Sequence, residues 1–375
     1  MIEVDVCVIG GGMAGASVAY HLAQNARVLL LEREPHVGYH STGRSAALYS
    51  PQYGSLAIRR LTAATGPFLR DPPPGFASTA LLTPRGFLTI GTRDELESLA
   101  SLESLARATS SPLERHTEAE VRALVPVIRT GAIDWGALDP GAMDMDVDAL
   151  LQGFLRGARA HGTQVATGEE VMSLERDGAG WLVHSSTLKI RAGIVVNASG
   201  AWADPTAALA DIAPLGLVPY RRTAFNFDAP QHANTSTWPM VIDAGERFYF
   251  KADAGRLLGS LAEEEPSRPC DAQPEDLDVA IAVDRIEQVI DFPIQRIVRA
   301  WTGLRTFAPD RDPVSGFEPS IPGFYWHAAI GGYGIQTSAA LGEFAAARIL
   351  GRPLPAPLAE LGLSNADLDP ARLRA

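Results

Sequence analysis

The stretch from Val4 to Glu32 narrows the folds open to this chain more than any other part of it. Val4–Ile9 is a short apolar run bounded by glycines, the pattern of a central parallel strand buried on both faces. Gly10-Gly11-Gly12-Met13-Ala14-Gly15 then matches G-x-G-x-x-G. Ala16–Asn25 keeps helical spacing, with Val18 and Leu22 able to face a sheet, and Arg27–Leu31 is a second β-rich run ending in Glu32. The pieces follow one another within the ~30 residues of a dinucleotide-binding βαβ unit. Gly10 permits the tight turn, Gly12 lets a pyrophosphate approach backbone N–H groups, and Gly15 lets helix and strand pack closely. The helix start at Met13 and Ala14 directs about half a positive charge at the phosphates. Glu32 can accept hydrogen bonds from an adenosine ribose and repels a 2′-phosphate, which disfavours NADP. The expected class is α/β with a Rossmann-type cofactor site.

Charge and cysteine usage remove other classes. A formal net charge of −12 and the lack of a basic run argue against nucleic acid as a partner. Cys7 lies inside the first strand as a small core residue, and with Cys270 it forms neither a disulfide framework nor a zinc site. Both fit a reducing cytoplasm. No metal-ligand spacing is found. Val4–Ala23 is apolar, but its glycines, Asp5 and His21 argue against an integral membrane segment, and it lacks a cationic start and cleavage site.

The next blocks decide the cofactor. Gly38-Tyr39-His40-Ser41-Thr42-Gly43-Arg44-Ser45-Ala46-Ala47 reads as a hydroxyl-rich loop opening a helix of small residues, where an NAD dehydrogenase continues with ordinary βα units. Val195–Trp202 reads as a buried strand ending in a tight turn at Gly200. Gly331-Gly332-Tyr333-Gly334-Ile335-Gln336-Thr337-Ser338 is a glycine loop feeding the helix Ala339–Leu350, suited to stabilising negative charge on a reduced flavin.

Together these blocks resemble the FAD-dependent D-amino-acid oxidase, glycine oxidase and sarcosine oxidase superfamily, with the strongest likeness to bacterial D-arginine dehydrogenases. The resemblance implies a glutathione-reductase-like FAD-binding Rossmann domain interleaved with a substrate domain built around a mixed β-sheet. Residues 1–48, 144–214 and 307–375 are expected to form the FAD domain, and 49–143 and 215–306 the substrate domain. Helices are expected over Arg93–Arg107 and Thr117–Leu124, the second with a Thr117–Glu120 capping box, and strands dominate Leu215–Val298. FAD is expected to be non-covalent, since the stretch Phe307–Gly316 lacks the cysteine that some relatives use. Its contacts are expected from Gly10, Gly12, Met13, Ala14, Gly15, Glu32 and Arg33; from Ser41, Thr42, Arg44, Ser45, Ala46 and Ala47; and from Val171, Gly200, Gly331, Tyr333, Gly334, Ile335, Gln336 and Thr337.

The resemblance also implies oxidative deamination of a D-amino acid to the imino acid, by hydride transfer from Cα to flavin N5. Arg222 and Arg305 match the positions that grip the substrate carboxylate, and a guanidinium offers a planar fork for it. Tyr53 lies in Ser50–Leu56, which resembles the family's lid over the active site, and Tyr249 matches a position whose hydroxyl faces the carboxylate. Gln336 and the Gly332 carbonyl match positions near the substrate amine. Phe87 stands where the D-arginine enzymes place a glutamate, and Leu48 where they place a histidine. With Met240 and Ile242 these residues form an apolar side-chain pocket, so apolar or aromatic D-amino acids are expected over D-arginine. Leu257 matches the position of the oxygen-activating lysine of sarcosine oxidases, with Lys251 nearby. The expected acceptor is therefore a quinone or another electron carrier, and the expected location is the cytoplasm, with weak peripheral membrane association left open. Alternatives are a glycine- or sarcosine-type amine oxidase, an FAD-dependent 2-hydroxy-acid dehydrogenase, and a flavin-bearing binding protein without turnover.

Overall fold

The computed structural model describes residues 1–109, 112–231 and 233–374. Two large sheets divide these residues. The first is eight-stranded, and its centre is parallel: Lys189–Asn197, Ile2–Ile9, Val28–Glu32 and Gln164–Thr167 lie side by side in that order. Phe324–Ala328 extends it in parallel beyond the C-terminal half of Lys189–Asn197, while antiparallel hairpins close that flank. Both faces are covered, which is why Ile2–Ile9 carries no alternation over its last four residues. Helices Met13–Leu22, Val147–Ala160 and Ser338–Ile349 cover one face, and Ala203–Ala207 with Trp181, Phe324 and Trp326 fills the other.

Glycine sets the approach of the first helix to its strand. A Cβ on Gly15 would lie 1.9 Å from the Gly10 carbonyl oxygen, and Gly10 itself has φ +110° with Ala198 O 2.4 Å from where a Cβ would stand. Larger residues at either place would push the helix off the sheet.

The second sheet is nine-stranded and mixed. Its order runs Val218–Phe227, Arg256–Ser260, Tyr249–Asp253, Met240–Asp243, Phe87–Gly91, Trp135–Asp139 and Glu114–Thr117, with Ile297–Phe307 and the short Glu265–Pro266 both antiparallel to Val218–Phe227 at the other end. The two-residue period sends Phe225, Val241, Phe250 and Leu257 to a core under the helix Asp276–Val289. It sends Ala224, Met240, Ile242, Tyr249 and Leu258 to the opposite face, which looks toward the first sheet.

Two expectations need correction. The helix of small residues after Gly38 is only one 3₁₀ turn, Thr42–Arg44, followed by extended chain and the strand Leu48–Tyr49. The Arg44 carbonyl accepts from Trp301 Nε1 at 3.0 Å, and the Arg44 guanidinium donates to the carbonyls of Ala272 and Thr302, so the segment is bound sideways to the second sheet. The strand-rich stretch after Leu215 also contains the 14-residue helix Asp276–Val289. The Thr117–Glu120 capping box forms as the spacing predicts.

A small sheet of Leu48–Tyr49, Met143–Met145 and Leu82–Pro84 joins the two large ones. Asp144 fastens it. Its carboxylate accepts from Lys251 Nζ at 2.8 Å and from Arg85 Nε at 2.6 Å, and Arg85 also donates to the carbonyls of Ser236 and Trp238. Their side chains are 9–18% exposed, so removing the shared anion strands two cations in low dielectric. Asp144→Asn is expected to lower the urea midpoint with an unchanged slope, a loss of about 2–4 kcal/mol. A loss below ~0.5 kcal/mol, the scale of an exposed pair, contradicts this role.

Candidate active site

A long groove runs between the sheets. One end is built by the C-terminal edge of the parallel strands: Gly10, Gly12, Met13, Ala14, Glu32, Arg33, Val171 and Gly200 all line it. Glu32 is buried there, accepting from Gly11 N at 2.8 Å and Glu34 N at 2.9 Å. Burial raises its pKa and these hydrogen bonds oppose the rise. A carboxylate has about four acceptor sites, so capacity remains for a ribose diol. Arg33 lies 4.8 Å over the Trp202 ring, and both line the groove. The glycine turn, the helix N-terminus and the free acceptor capacity of Glu32 fit the ADP half of a dinucleotide.

The middle of the groove takes in Ser41, Thr42, Arg44, Ser45 and Ala46. Their hydroxyls are engaged by protein. Ser41 Oγ donates to Leu304 O at 2.6 Å, Thr42 Oγ1 accepts from Met13 N at 3.0 Å, and Ser45 Oγ accepts from Ala47 N at 3.1 Å. The hydroxyl-rich loop is thus tied to its neighbours by the groups that the sequence offered to the cofactor.

The far end is lined by Arg222, Ala224, Tyr249, Gly303, Arg305, Gly331, Gly332, Gly334 and Ile335. Arg222 and Arg305 come from paired strands, where Arg222 is opposite Gly303 and Arg305 opposite Tyr220. The Arg222 side chain is 8% exposed; its Nε donates to Glu263 O at 2.9 Å and its terminal nitrogen to Glu264 at 3.4 Å. Burial and the like charge of Arg305 lower its pKa.

Arg305 differs. It is half-buried, and among the described residues its guanidinium has no hydrogen-bond or ion-pair partner. Burial opposes its charge, yet Tyr249, Tyr53, Tyr333 and Glu264 together hold its pKa above the ordinary value. Gly331 N donates to Thr306 O at 2.8 Å, docking the glycine loop on the Arg305 strand, and Gly332 lies against the guanidinium.

Beside the arginines, Leu48, Phe87, Met240 and Ile242 join Tyr249, Ala46, Ala224 and Trp301 in one apolar cluster. Tyr53 closes over it, with ring centroids 6.2 Å from Phe87 and 5.4 Å from Tyr333. Burial raises the Tyr53 and Tyr333 pKa values. The nearby carboxylate Asp139 is the strand partner of Phe87, but it is buried and accepts from Ser50 Oγ and Gly141 N, both at 2.9 Å. Gln336 and Thr337 are buried behind the wall. Gln336 Oε1 accepts from Ser50 N at 3.2 Å, and Thr337 Oγ1 donates to Tyr333 O at 2.9 Å. Ala47 instead packs against the core of the first sheet, with its carbonyl 3.4 Å from Lys251 Nζ.

Leu257 does not face the site. It packs with Phe225 and Phe250 on the far side, and Leu258, one residue on, takes the inward position opposite Lys251. A one-residue offset in a strand reverses the face. The Asp139–Ser50–Gln336 chain and the Glu264–Arg222 contact were not read from sequence, because an acid in an exposed-looking run gives no sign of its partner. Among the described residues no cluster of His, Cys, Asp or Glu can hold a metal ion, and no helix is long and apolar enough to cross a membrane.

Comparison with known proteins matches this architecture. Residues 5–348 match the DAO family, FAD dependent oxidoreductase. The chain is 25% identical over 373 residues to the uncharacterized oxidoreductase YurR of Bacillus subtilis, covering 92% of this chain and 94% of that one. Its fold is similar to glycine oxidase from Geobacillus kaustophilus, with TM-score 0.85, 22% identity, and 97% and 99% of the two chains covered. It is also similar to iminodiacetate oxidase from Chelativorans sp. BNC1, with TM-score 0.79, 23% identity, and 95% and 98% covered. The chain belongs to the DAO family of FAD-dependent oxidoreductases, and FAD is its cofactor.

The contact between Gly332 and Arg305 gives a direct check. A Cβ at position 332 would stand 2.9 Å from the Arg305 guanidinium carbon. Gly332→Ala is expected to weaken binding of a simple carboxylate about ten-fold, about 1.4 kcal/mol, while FAD content stays that of the parent. Unchanged carboxylate affinity in a titration of the flavin spectrum contradicts the placement.

Proposed function

We propose that this flavoprotein oxidatively deaminates an α-amino acid, of D configuration and with an apolar or aromatic side chain, and passes the electrons to a quinone or another acceptor in place of oxygen. The observation that carries the reading is Arg305, a half-buried guanidinium with no partner among the described residues, beside a buried second guanidinium. Two guanidinium charges that share one groove, one of them with no direct partner among the described residues, favour an anion from outside. A carboxylate accepts both forks and is thereby fixed in orientation.

FAD, when bound, takes the hydride equivalent from the substrate α-carbon. The chain's own groups supply position. Arg222 and Arg305 hold the carboxylate, Tyr249 and Tyr53 border it, and the Gly332 carbonyl is assigned to the amine, with Gln336 behind the wall holding Ser50 N. The cluster of Leu48, Phe87, Met240 and Ile242 receives the side chain and itself holds no counter-charge for an arginine substrate; Asp139 is held by Ser50 and Gly141, and Glu246, whose charge reaches Tyr53 and Tyr333, lies outside the cluster. Burying the substrate's guanidinium unpaired costs several kcal/mol, on the order of the difference between substrates. The D configuration rests on the likeness to D-arginine dehydrogenases.

For the acceptor, the inward residue Leu258 is apolar, and Lys251 is committed to Asp144. No cysteine stands between Phe307 and Gly316, which supports non-covalent FAD. We assign the protein to the cytoplasm. A second reading is oxidation of an N-substituted glycine. It is favoured by the fold likeness to glycine oxidase and iminodiacetate oxidase.

Anaerobic mixing with a panel of amino acids and N-methyl amines separates these. D-Leu, D-Met or D-Phe are expected to bleach the flavin rapidly and D-Arg slowly. Bleaching by L-isomers alone removes the D assignment, and fastest bleaching by glycine or sarcosine selects the second reading. Phe87→Glu is expected to raise kcat/KM for D-Arg over D-Leu roughly ten-fold; no shift takes Phe87 out of the pocket.

A further inference from the structure

The two arginines at the far end of the groove are not equivalent, and the difference lies in Glu264. Its carboxylate sits 3.4 Å from the Arg222 guanidinium and accepts from Arg311 through both oxygens at 2.9 Å each. Arg311 is itself held in place. Its guanidinium lies 4.0 Å from the Phe307 ring centroid and 5.9 Å from that of Tyr220, and its backbone takes the left-handed conformation, φ +66°, with N donating to Ala308 O at 2.9 Å. Glu264 is therefore shared between a fixed outer cation and a buried inner one, with the longer contact on the inner side. Its charge also reaches Arg305.

We infer that Glu264 is the internal counter-ion of the carboxylate site and that Arg311 is its restraint. This rests on the reading of Arg222 and Arg305 as a carboxylate clamp. Without a ligand, Glu264 offsets part of the charge on Arg222, which among the described residues is otherwise hydrogen-bonded only to the Glu263 carbonyl. An incoming carboxylate competes with Glu264 for the same guanidinium. Arg311 takes up the freed Glu264 through two hydrogen bonds already formed, so the exchange leaves no carboxylate unpaired. Affinity for the ligand is then set by the balance of Arg222 and Arg311 for Glu264. Both are positioning residues: neither Glu264 nor Arg311 is required to touch the substrate.

Competition has a signature that simple structural support lacks, because the two substitutions act in opposite directions. Removing the competitor in Glu264→Gln is expected to tighten a carboxylate. Removing the restraint in Arg311→Gln frees Glu264 to engage Arg222 fully, and is expected to weaken it. The pair is partly exposed, so each change is modest, about two- to five-fold in Kd. Glu264→Gln/Arg311→Gln is expected to behave like Glu264→Gln alone, and Arg311→Lys, which keeps the charge, like the parent.

The measurement is a titration of each holoenzyme with benzoate, a carboxylate that cannot be oxidised at an α-carbon, read by the flavin spectrum and by heat. Opposite shifts in Kd for the two single variants, with FAD content unchanged, support the inference. Shifts in the same direction, or none in either, overturn it. Arg305→Met serves as the control. If the parent takes no benzoate, or Arg305→Met binds it as well as the parent does, the carboxylate clamp itself fails, and the role of Glu264 falls with it.

Discussion

A half-buried guanidinium that has no partner among the described residues is the constraint around which the site is organised. Arg305 cannot lose its proton, so burial has to be offset by other means. The charge of Glu264 offsets part of it from a distance, and the neutral rings of Tyr53, Tyr249 and Tyr333 border the guanidinium without adding charge. None of these forms a hydrogen bond to it, so its donors stay available to a ligand. Arg222 beside it raises the local positive potential, and its own charge is disfavoured by burial and by that of Arg305.

The fold supplies this arrangement by bringing two sheets together over one groove. The parallel sheet ends its strands at the glycine turn and at Glu32, which suits the adenosine half of the cofactor. The mixed sheet turns one face toward that groove, and the two-residue period places Arg222, Ala224 and Tyr249 on it along with Phe87 and Met240. Arg44 and Ser41 reach from the first sheet's loop to carbonyls of the Ile297–Phe307 strand, and Asp144 ties the small sheet to Lys251. The spacing between cofactor end and arginine end is thus set by buried polar contacts in addition to apolar packing.

Sequence made some of this visible and hid the rest for physical reasons. The βαβ unit was legible because each residue type answers a local demand: Gly10 for its turn, Gly15 for close packing, Glu32 for the strand end. The helix expected after Gly38 failed because small residues permit a helix without compelling one, and the Arg44 carbonyl found Trp301 instead. Leu257 was misplaced because a one-residue error in strand register exchanges the two faces, and both Leu257 and Leu258 are apolar. Glu264 lies in the acidic run Glu263–Glu265, which reads as solvated surface, and its pairing with Arg222 spans 42 residues. Contacts of that separation leave no local pattern.

The central claim is that Arg305 exists to take a substrate carboxylate. It is tested most directly by comparing phenylalanine, in the reactive hand, with phenethylamine, which lacks only the carboxylate, in anaerobic flavin reduction. In the parent protein the amino acid is expected to react far faster than the amine. Arg305→Met is expected to reduce that ratio by about a hundred-fold or more, through loss of a charge-assisted contact worth about 3 kcal/mol, while the slow rate with the amine stays as it was. A ratio that survives the substitution unchanged contradicts the account.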